Sequence, residues 1–597
     1  MEGDLMKFTV LPMFHPAAAL HSPRLWATLL EDWEFRAAQV PHDYQVIGER
    51  EFDPAKVEVC ALDTETDGTG GLGQWSVAFR EGGKIKVATF FGPRPGMRFP
   101  NTVVMHNAKY DLRELAKNKM IPPENVQDTM ILAYCMGLGR QAPADNGKAK
   151  SGANMTGGLG LKYLCRRHLG MDMMTWKQVH LTPEKIPEYN AMDSVGTLLL
   201  YEKWIGDAPS HYHEIDTPLL KVLMAMEDRG IQIDPDYLKE FAEELDQSLA
   251  KYDLPLNPFA PQEVTSYIYG TLGLEPWKFT ESGAPSTDED VLEAIHDPIC
   301  DQILEYKRLY KEKETYVENY TKAMDFHNRI HPEFKQTSTS TGRLSCARPN
   351  LQNVFKRDDR VRVRALFCAK PGYSIVRGDF DQLDFRALAA ITQDPTLIGA
   401  LNSGKKIHTV TQELMGLSYE VAKIANFSAM FKAEAWKLSQ EMGCTIDEAK
   451  AFQKQYFEKF PRIKQYQVET EEKIRAEKKV TIPFEGRTRR LDAMYVDQWR
   501  IQQEGIREGI STPVQGLEAF VVKKVMIGLH YKWAAPMVSQ IHDEILCEVP
   551  DRDAQDFAHW LKSYVPTVFE ANGVRFPMAV GVGKNWYTSG LKENEIK

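Results

Sequence analysis

The sequence predicts an α/β protein of several domains, and three observations carry that reading. The chain has 597 residues, enough for more than one hydrophobic core. Short β-prone runs alternate with longer stretches of helical periodicity. Two of the β-prone runs, far apart in the chain, lead into carboxylates: residues 373–376 run into Gly378-Asp379, and residues 57–62 run into Asp63-Thr64-Glu65. A carboxylate at a strand end can be held rigidly and still be reached by a ligand.

Composition narrows the class. The formal net charge is −10, which argues against an indiscriminately basic nucleic-acid binder. It leaves room for a groove lined by local basic stretches, such as 356–364 and 478–490. The sequence has no apolar run long enough to span a bilayer, and the opening MEGDLMK lacks a signal-peptide pattern. The eight cysteines are scattered, with no Cys-x-x-Cys spacing, and read as reduced thiols of a cytoplasmic protein.

In chain order, residues 57–62 read as a strand, and an extended backbone points Asp63 and Glu65 to one side. Residues 75–79, 84–91 and 102–105 read as further strands of the same sheet. Asn107 and Asp111 then open a helix. Residues 137–160 are rich in Gly, Ala and small polar types, the composition of a mobile loop. A helix over 188–204 carries Tyr189 and Asp193 four apart on one face. A lone Asp-x-Glu is more often a strand-end or capping pair. The set Asp63, Glu65, Asp111 and Asp193 suits two-metal phosphodiester hydrolysis.

From Asp216 the chain turns helical, with a long mixed-charge helix over 303–320. The polar stretch 334–354 can bond phosphates and minor-groove acceptors without choosing a sequence. Residues 383–390 follow the Asp379 strand as a helix. Tyr419, Lys423, Phe427 and Phe431 recur every four residues and share a helix face. Periodicity alone favours a buried aromatic stripe with a snorkelling lysine. Residues 537–541 and 544–549 read as two strands with His542-Asp543 at the bend. Such a hairpin could set Asp543 beside Asp379, and two facing aspartates could hold two Mg²⁺ ions about 3.5–4 Å apart.

The Asp63-Thr64-Glu65 set, TGRLS followed by PNLQN, KIANFSAMF, REGISTPVQG, the His-Asp-Glu element and VGVGKNWY resemble the motifs of family A DNA polymerases. The likeness is to the DNA polymerase I type, with a 3′–5′ exonuclease and no 5′-nuclease domain, and it covers residues 57–587. It implies an N-terminal extension over 1–50 and a ribonuclease H-like exonuclease domain over 51–212. A right-hand polymerase domain would fill 213–597, with the thumb about 213–335, the palm about 336–400 and 513–597, and the fingers about 401–512. Within the extension, residues 10–33 resemble the C-terminal end of some uracil-DNA glycosylases; with no glycosylase core, no such activity is expected.

The resemblance also implies roles. Asp63, Glu65, Asp111 and Asp193 would bind the exonuclease metals, and Tyr189 would orient the attacking water. Asp379, Phe380 and Asp543 would bind the polymerase metals. Gln382, Asp384, His408, Lys423, Phe427 and Phe431 would hold the incoming nucleotide, with Lys423 as proton donor to pyrophosphate. Arg343, Asn350, Gln352, Asn353, Arg507, Gln515 and His542 would contact DNA. The implied cofactors are two Mg²⁺ ions at each site, with Mn²⁺ as a substitute. The implied partners are primer-template DNA and dNTPs, for a monomer free of membranes and acting in replication, in the host cytoplasm if viral.

The sequence also departs from the family pattern. Motif A carries Asp384 where the family has the glutamate that excludes a ribose 2′-hydroxyl. Its hydrogen-bonding tyrosine partner is Phe431, and the next glycine is Lys432. Tyr419 replaces a triphosphate-binding arginine, whose charge Lys405 or Lys432 could supply. Lys406 stands two before His408 in place of an acidic residue, and Ser511 replaces an asparagine. Asp381, projecting beside Asp379 if the strand continues, could compete for metal. The alternative reading is a 3′–5′ exonuclease whose degenerate polymerase domain only grips DNA. Tyr419 and Phe431 favour it; Asp379, Asp543 and Lys423 oppose it.

Overall fold

A computed structural model describes residues 44–138, 158–354 and 363–596, apart from 68, 181 and 281. The glycosylase-like stretch, most of the 137–160 loop and most of the 356–364 basic stretch lie outside those residues.

Six strands form the first sheet: β1 (Tyr44–Ile47), β2 (Val59–Thr66), β3 (Leu72–Glu81), β4 (Lys84–Phe91), β5 (Thr102–Met105) and β6 (Val126–Asp128). Their order is β1-β4-β3-β2-β5-β6. β2, β3 and β4 pair antiparallel, whereas β5 joins β2, and β6 joins β5, in parallel. This is the expected ribonuclease H-like sheet with one added edge strand. The strand expected over 57–62 in fact runs on through Asp63 and Glu65. These pair with Ser76 and Gln74, so the carboxylates are strand residues and not a tail beyond it. The longer helices that accompany the sheet are α1 (Ala108–Lys117), α2 (Thr129–Cys135), α3 (Leu161–Leu169) and α4 (Ile186–Trp204). Trp75, Val77, Val87, Val103, Leu132 and Leu198 lie in its core. Asp128 holds two helices at once, accepting from Ala108 N at 2.8 Å and from Met130 N at 2.8 Å.

α5 (Thr217–Arg229) begins the helical region. The expected long helix over 303–320 is divided by a wider π-type turn at Lys313–Glu318, between α6 (Pro298–Glu312) and α7 (Asn319–Ala323).

The second large sheet is antiparallel throughout. It holds β7 (Tyr373–Phe380), β8 (Met537–Ile541), β9 (Glu544–Pro550) and β10 (Met578–Gly583), in the order β8-β9-β7-β10. β7 reaches Phe380 because both neighbours pair with it there, Asp379 lying opposite Glu544 and Ala579. At Gln382 the backbone turns left-handed (φ 52°), and α8 (Leu383–Thr392) follows. α8 packs on the 35-residue α9 (Trp499–Trp533), and α10 (Ala554–Tyr564) backs the sheet. Ile375, Val376, Leu388, Leu517, Val525 and Ile545 are buried together in this core, each worth roughly 1.5–3 kcal/mol of burial. Gly378 makes the close approach possible: a Cβ there would lie 2.7 Å from Met578 Sδ.

Candidate active sites

The first site forms where β2 passes α4. Carboxylate oxygens of Asp63, Glu65 and Asp193 come within 4.8 Å of one another. Asp111 stands outside that trio. Its Oδ1 accepts from Thr64 N at 3.1 Å and from Thr64 Oγ1 at 2.7 Å, fixing the residue between the two strand carboxylates. Burial pushes the Asp63 carboxyl up to about 6, against the pull of Lys162 and Asn190. Burial and the Asp63 charge push Glu65 up to about 8. A cluster that resists carrying its own negative charge is one a divalent cation would relieve, so the residues fit a metal pair. Tyr189 is buried, and Trp176 meets its ring edge-on at 6.0 Å.

Two residues here carry no motif signal. Asn190 donates from Nδ2 to Asp63 Oδ2 at 2.7 Å, and it could have been found because it lies one turn before Asp193 on the same helix. Lys162 pairs with Asp193 and lies 4.1 Å from the centre of the Tyr189 ring. It comes from α3, and nothing in its local sequence marks it.

The second site forms at one end of the antiparallel sheet. The β8–β9 turn places Asp543 at the β7 terminus, where Phe380 N donates to Asp543 O at 3.0 Å. Arg377 pairs with Asp379 and donates to Glu544 Oε1 at 2.8 Å. Glu544 also accepts from Arg364 at 3.1 Å and from Trp586 Nε1 at 2.7 Å. Burial alone would raise the Glu544 carboxyl, but Arg377 and Arg364 outweigh it and hold it down at about 2. That depressed value sets a pH window. The folded form binds this proton less readily than the unfolded chain, whose glutamate titrates near the ordinary 4.5. The contribution is therefore complete above 4.5 and is lost as pH falls from there to about 2. It is on the order of 3 kcal/mol. The thermal midpoint of the wild type should fall more steeply over that window than that of Glu544→Gln; parallel curves would contradict it.

Asp381 does not continue toward the metal side. β7 ends at Phe380, the chain turns at Gln382, and Arg386 Nη2 takes Asp381 Oδ2 at 2.7 Å. The sequence reading of Asp381 as a competing ligand assumed a longer strand. Gln382 reaches the start of a later helix, Ile407–Met415, its Oε1 accepting from Ile407 N at 2.7 Å.

α11 (Ile407–Met415) and α12 (Tyr419–Met430) meet α8 through Phe385, whose ring centre lies 5.2 Å from that of His408 and 5.6 Å from that of Phe427. Phe427 and Phe431 are half-buried and Tyr419 is 38% exposed, so the aromatic stripe is not core. His408 meets the Phe385 and Tyr419 rings edge-on at 5.2 and 5.7 Å. Asn426 Nδ2 donates to His408 Nδ1 at 3.0 Å, while its Oδ1 accepts from Thr411 and Tyr456 hydroxyls. That network leaves the His408 Nε2–H free to point outward. Burial, then Lys423 and Lys406, lower the His408 pKa. Lys432 pairs with Glu471, and Lys405 with Glu413 at 2.8 Å, so either would have to leave a partner to replace the missing arginine. Lys432 adopts the left-handed backbone (φ 50°) that suits the glycine it replaces.

Of the residues expected at DNA, Gln352 Nε2 bonds Leu344 O at 3.2 Å and Gln540 Oε1 at 3.4 Å. Gln540 in turn donates to His542 O at 2.5 Å, tying the polar stretch to the Asp543 turn. Asn350 Oδ1 accepts from Gln352 N at 3.0 Å, and Asn353 O accepts from Tyr316 OH at 3.2 Å. Arg507 pairs with Glu434 at 2.5 Å, and Gln515 is half-buried on α9.

Comparison with known proteins adds the following. Residues 235–588 match the family model described as DNA polymerase family A, and residues 97–204 match one described as 3′–5′ exonuclease. The chain is 32% identical over 403 residues to the thermostable DNA polymerase I of Thermus aquaticus, covering 63% of this chain and 48% of that one. It is 30% identical over 521 residues to DNA polymerase I of Chloroflexus aurantiacus, covering 81% and 54%. The chain thus spans about half the length of the curated relatives it matches. Among solved structures it resembles the POL domain of Pol1 from M. smegmatis, in complex with DNA primer-template and dNTP. That match has a TM-score of 0.77 at 20% identity and covers 90% of this chain and 97% of the other.

Proposed function

The chain belongs to DNA polymerase family A and carries a 3′–5′ exonuclease domain, and on that footing we propose that it is a template-directed DNA polymerase with proofreading, acting in replication. The carrying observation is the pair of separate carboxylate sites. Asp63, Glu65 and Asp193 converge on one sheet, and Asp379 and the Asp543 turn meet at the end of another. Among the described residues no helix is long and apolar enough to cross a membrane.

In this reading the primer 3′-hydroxyl attacks the α-phosphate of a dNTP between Asp379 and Asp543. Divalent ions, Mg²⁺ or Mn²⁺, would supply charge neutralisation and a lowered hydroxyl pKa at both sites, held there by Asp379, Phe380 and Asp543 and by Asp63, Glu65, Asp111 and Asp193. Lys423 and the His408 Nε2–H lie on the α11–α12 face and neutralise the triphosphate, with Lys423 able to return a proton to pyrophosphate. Phe427 stacks on the sugar, and Phe431 and Asp384 shape its far side. Arg343, Asn350, Gln352, Asn353, Arg507, Gln515 and His542 would line the primer-template path. A mismatched primer end frays and moves to the first site, where Tyr189 orients water.

The test is a labelled primer on a recessed template with Mg²⁺. Growth with dNTPs and shortening without them is the expected result. No growth in an Asp63→Ala background, where shortening cannot mask synthesis, would leave only the exonuclease reading.

A further inference from the structure

Lys162 is a cation set among carboxylates that are themselves expected to hold cations. It enters from the start of α3, just after Leu159, whose carbonyl oxygen lies 2.9 Å from His106 Nε2. Two contacts lay α3 along α4. Cys165 meets α4 at Gly196, where a Cβ would lie 2.7 Å from Cys165 Sγ, so a residue without a side chain admits the approach. Three residues earlier on both helices, Lys162 pairs with Asp193. Lys162 Nζ also lies 4.1 Å from the Tyr189 ring centre, so one ammonium meets both functional residues of that α4 face. Its charge bears on Asp63 and Glu65 as well. The Asp193 side chain is 7% exposed, whereas that of Lys162 is 27% exposed. The carboxylate is enclosed, and the ammonium, a point charge on a flexible stem, has a way out to solvent.

We infer that Lys162 is a built-in competitor for metal at the first site: it neutralises Asp193 on its own, and so raises the concentration of divalent ion at which Asp63, Glu65 and Asp193 fill. The inference rests on the proposed placement of divalent ions at those carboxylates. Their oxygens lie within 4.8 Å of one another, and three charges that close repel unless a cation stands among them. Lys162 supplies one. An arriving divalent ion must displace the ammonium from Asp193 or sit beside it, and either weakens its binding. Primer shortening then begins only above a metal threshold that the carboxylates alone would not impose.

The test titrates Mn²⁺ into the whole chain carrying Asp379→Ala and Asp543→Ala, so that the second carboxylate site does not take up the ion. Free Mn²⁺ is read by electron paramagnetic resonance, and adding Asp193→Ala marks which binding belongs to the first site. Lys162→Met should bind Mn²⁺ there about 10-fold more tightly or better, because a like charge is gone. Lys162→Arg, which keeps the charge, should stay close to the lysine protein. In the same background the Mn²⁺ concentration that half-saturates primer shortening should fall in Lys162→Met by the same factor, whatever becomes of the maximal rate. Unchanged or weaker Mn²⁺ binding in Lys162→Met would make Lys162 a helix-to-helix tie and overturn the inference. Binding in Lys162→Arg as tight as in Lys162→Met would overturn the role of charge. If Asp193→Ala removes no Mn²⁺ from any variant, the metal reading of the three carboxylates fails and takes the inference with it. Melting curves identify a variant that does not fold; Lys162→Gln, which keeps a donor for Asp193 without the charge, then decides in place of Lys162→Met.

Discussion

Asp379→Ala should abolish primer extension while leaving primer shortening intact, and Asp63→Ala should do the reverse. The separation follows from architecture. Asp379 sits on the antiparallel sheet and Asp63 on the six-stranded one, and the two sheets share no strand. Residues that far apart without common partners act additively. Each substitution removes a full charge from a site built to gather cations, which should cost several kcal/mol of transition-state stabilisation, a loss of about 10³-fold or more. Neither should unfold the protein. Arg377, released from Asp379, keeps Glu544 at 2.8 Å. Removing Asp63 takes away a carboxylate that burial already disfavours and relieves Glu65 of a neighbouring charge, so the thermal midpoint should hold or rise slightly. The measurement is the recessed-primer assay with and without dNTPs, alongside a melting curve. Loss of both activities in either well-folded variant would contradict the two-site reading. Residual extension within tenfold of wild type in Asp379→Ala would remove that residue from the chemistry.

How much of this was legible in the sequence depends on the range of each interaction. Periodicity located β4 and β5 at their bounds and put Asp63 and Glu65 on one side, because a strand alternates wherever it lies. It did not locate strand ends. β2 and β7 run past their apolar stretches because neighbours pair with them, and Asp381 was misjudged because one left-handed residue, Gln382, stops the strand. The Tyr419, Phe427 and Phe431 stripe looked like core from spacing alone. Only tertiary packing reveals that it stays half open. Residues that position others across the chain were the least legible. Asn190 reaches Asp63 over 127 positions, and Glu518 reaches Arg343 over 175. Such pairs leave no local pattern, because each joins residues more than a hundred positions apart.

The largest stability effect expected outside the carboxylate sites lies where the two halves meet, and it shows in Arg487→Met. Asp216 is fully buried just before α5. It receives Arg487 Nη2 at 2.6 Å, Lys523 Nζ of α9 at 3.1 Å and His211 Nδ1 at 3.1 Å, with Cys135 Sγ of α2 at 3.3 Å. Arg487 also holds buried Glu485 at 2.7 Å and lies 4.8 Å from the Tyr134 ring centre, whose hydroxyl donates to Thr339 O. Burial alone would raise the Asp216 carboxyl, yet Arg487 and Lys523 hold it well below its usual range. Cys135, His211 and Asp216 lie close enough together to suggest a metal site. Two cations already inside the cluster make it an ion-pair web instead. Arg487→Met would strand Glu485 and leave Asp216 with one cation, costing about 3–5 kcal/mol. The denaturation midpoint should fall accordingly, and a cost below about 1 kcal/mol would show that the web is not holding the halves. A further variant separates charge from packing. Replacing Asp216, Glu485, Arg487 and Lys523 together with apolar residues of similar volume should recover much of the loss, because none of the web's paired charges is then left buried alone. Recovery would mean that the web is maintained for the alignment of the two halves more than for stability itself. Failure to recover would mean that the geometry of this junction admits no apolar filling, and that its ions are structural in their own right.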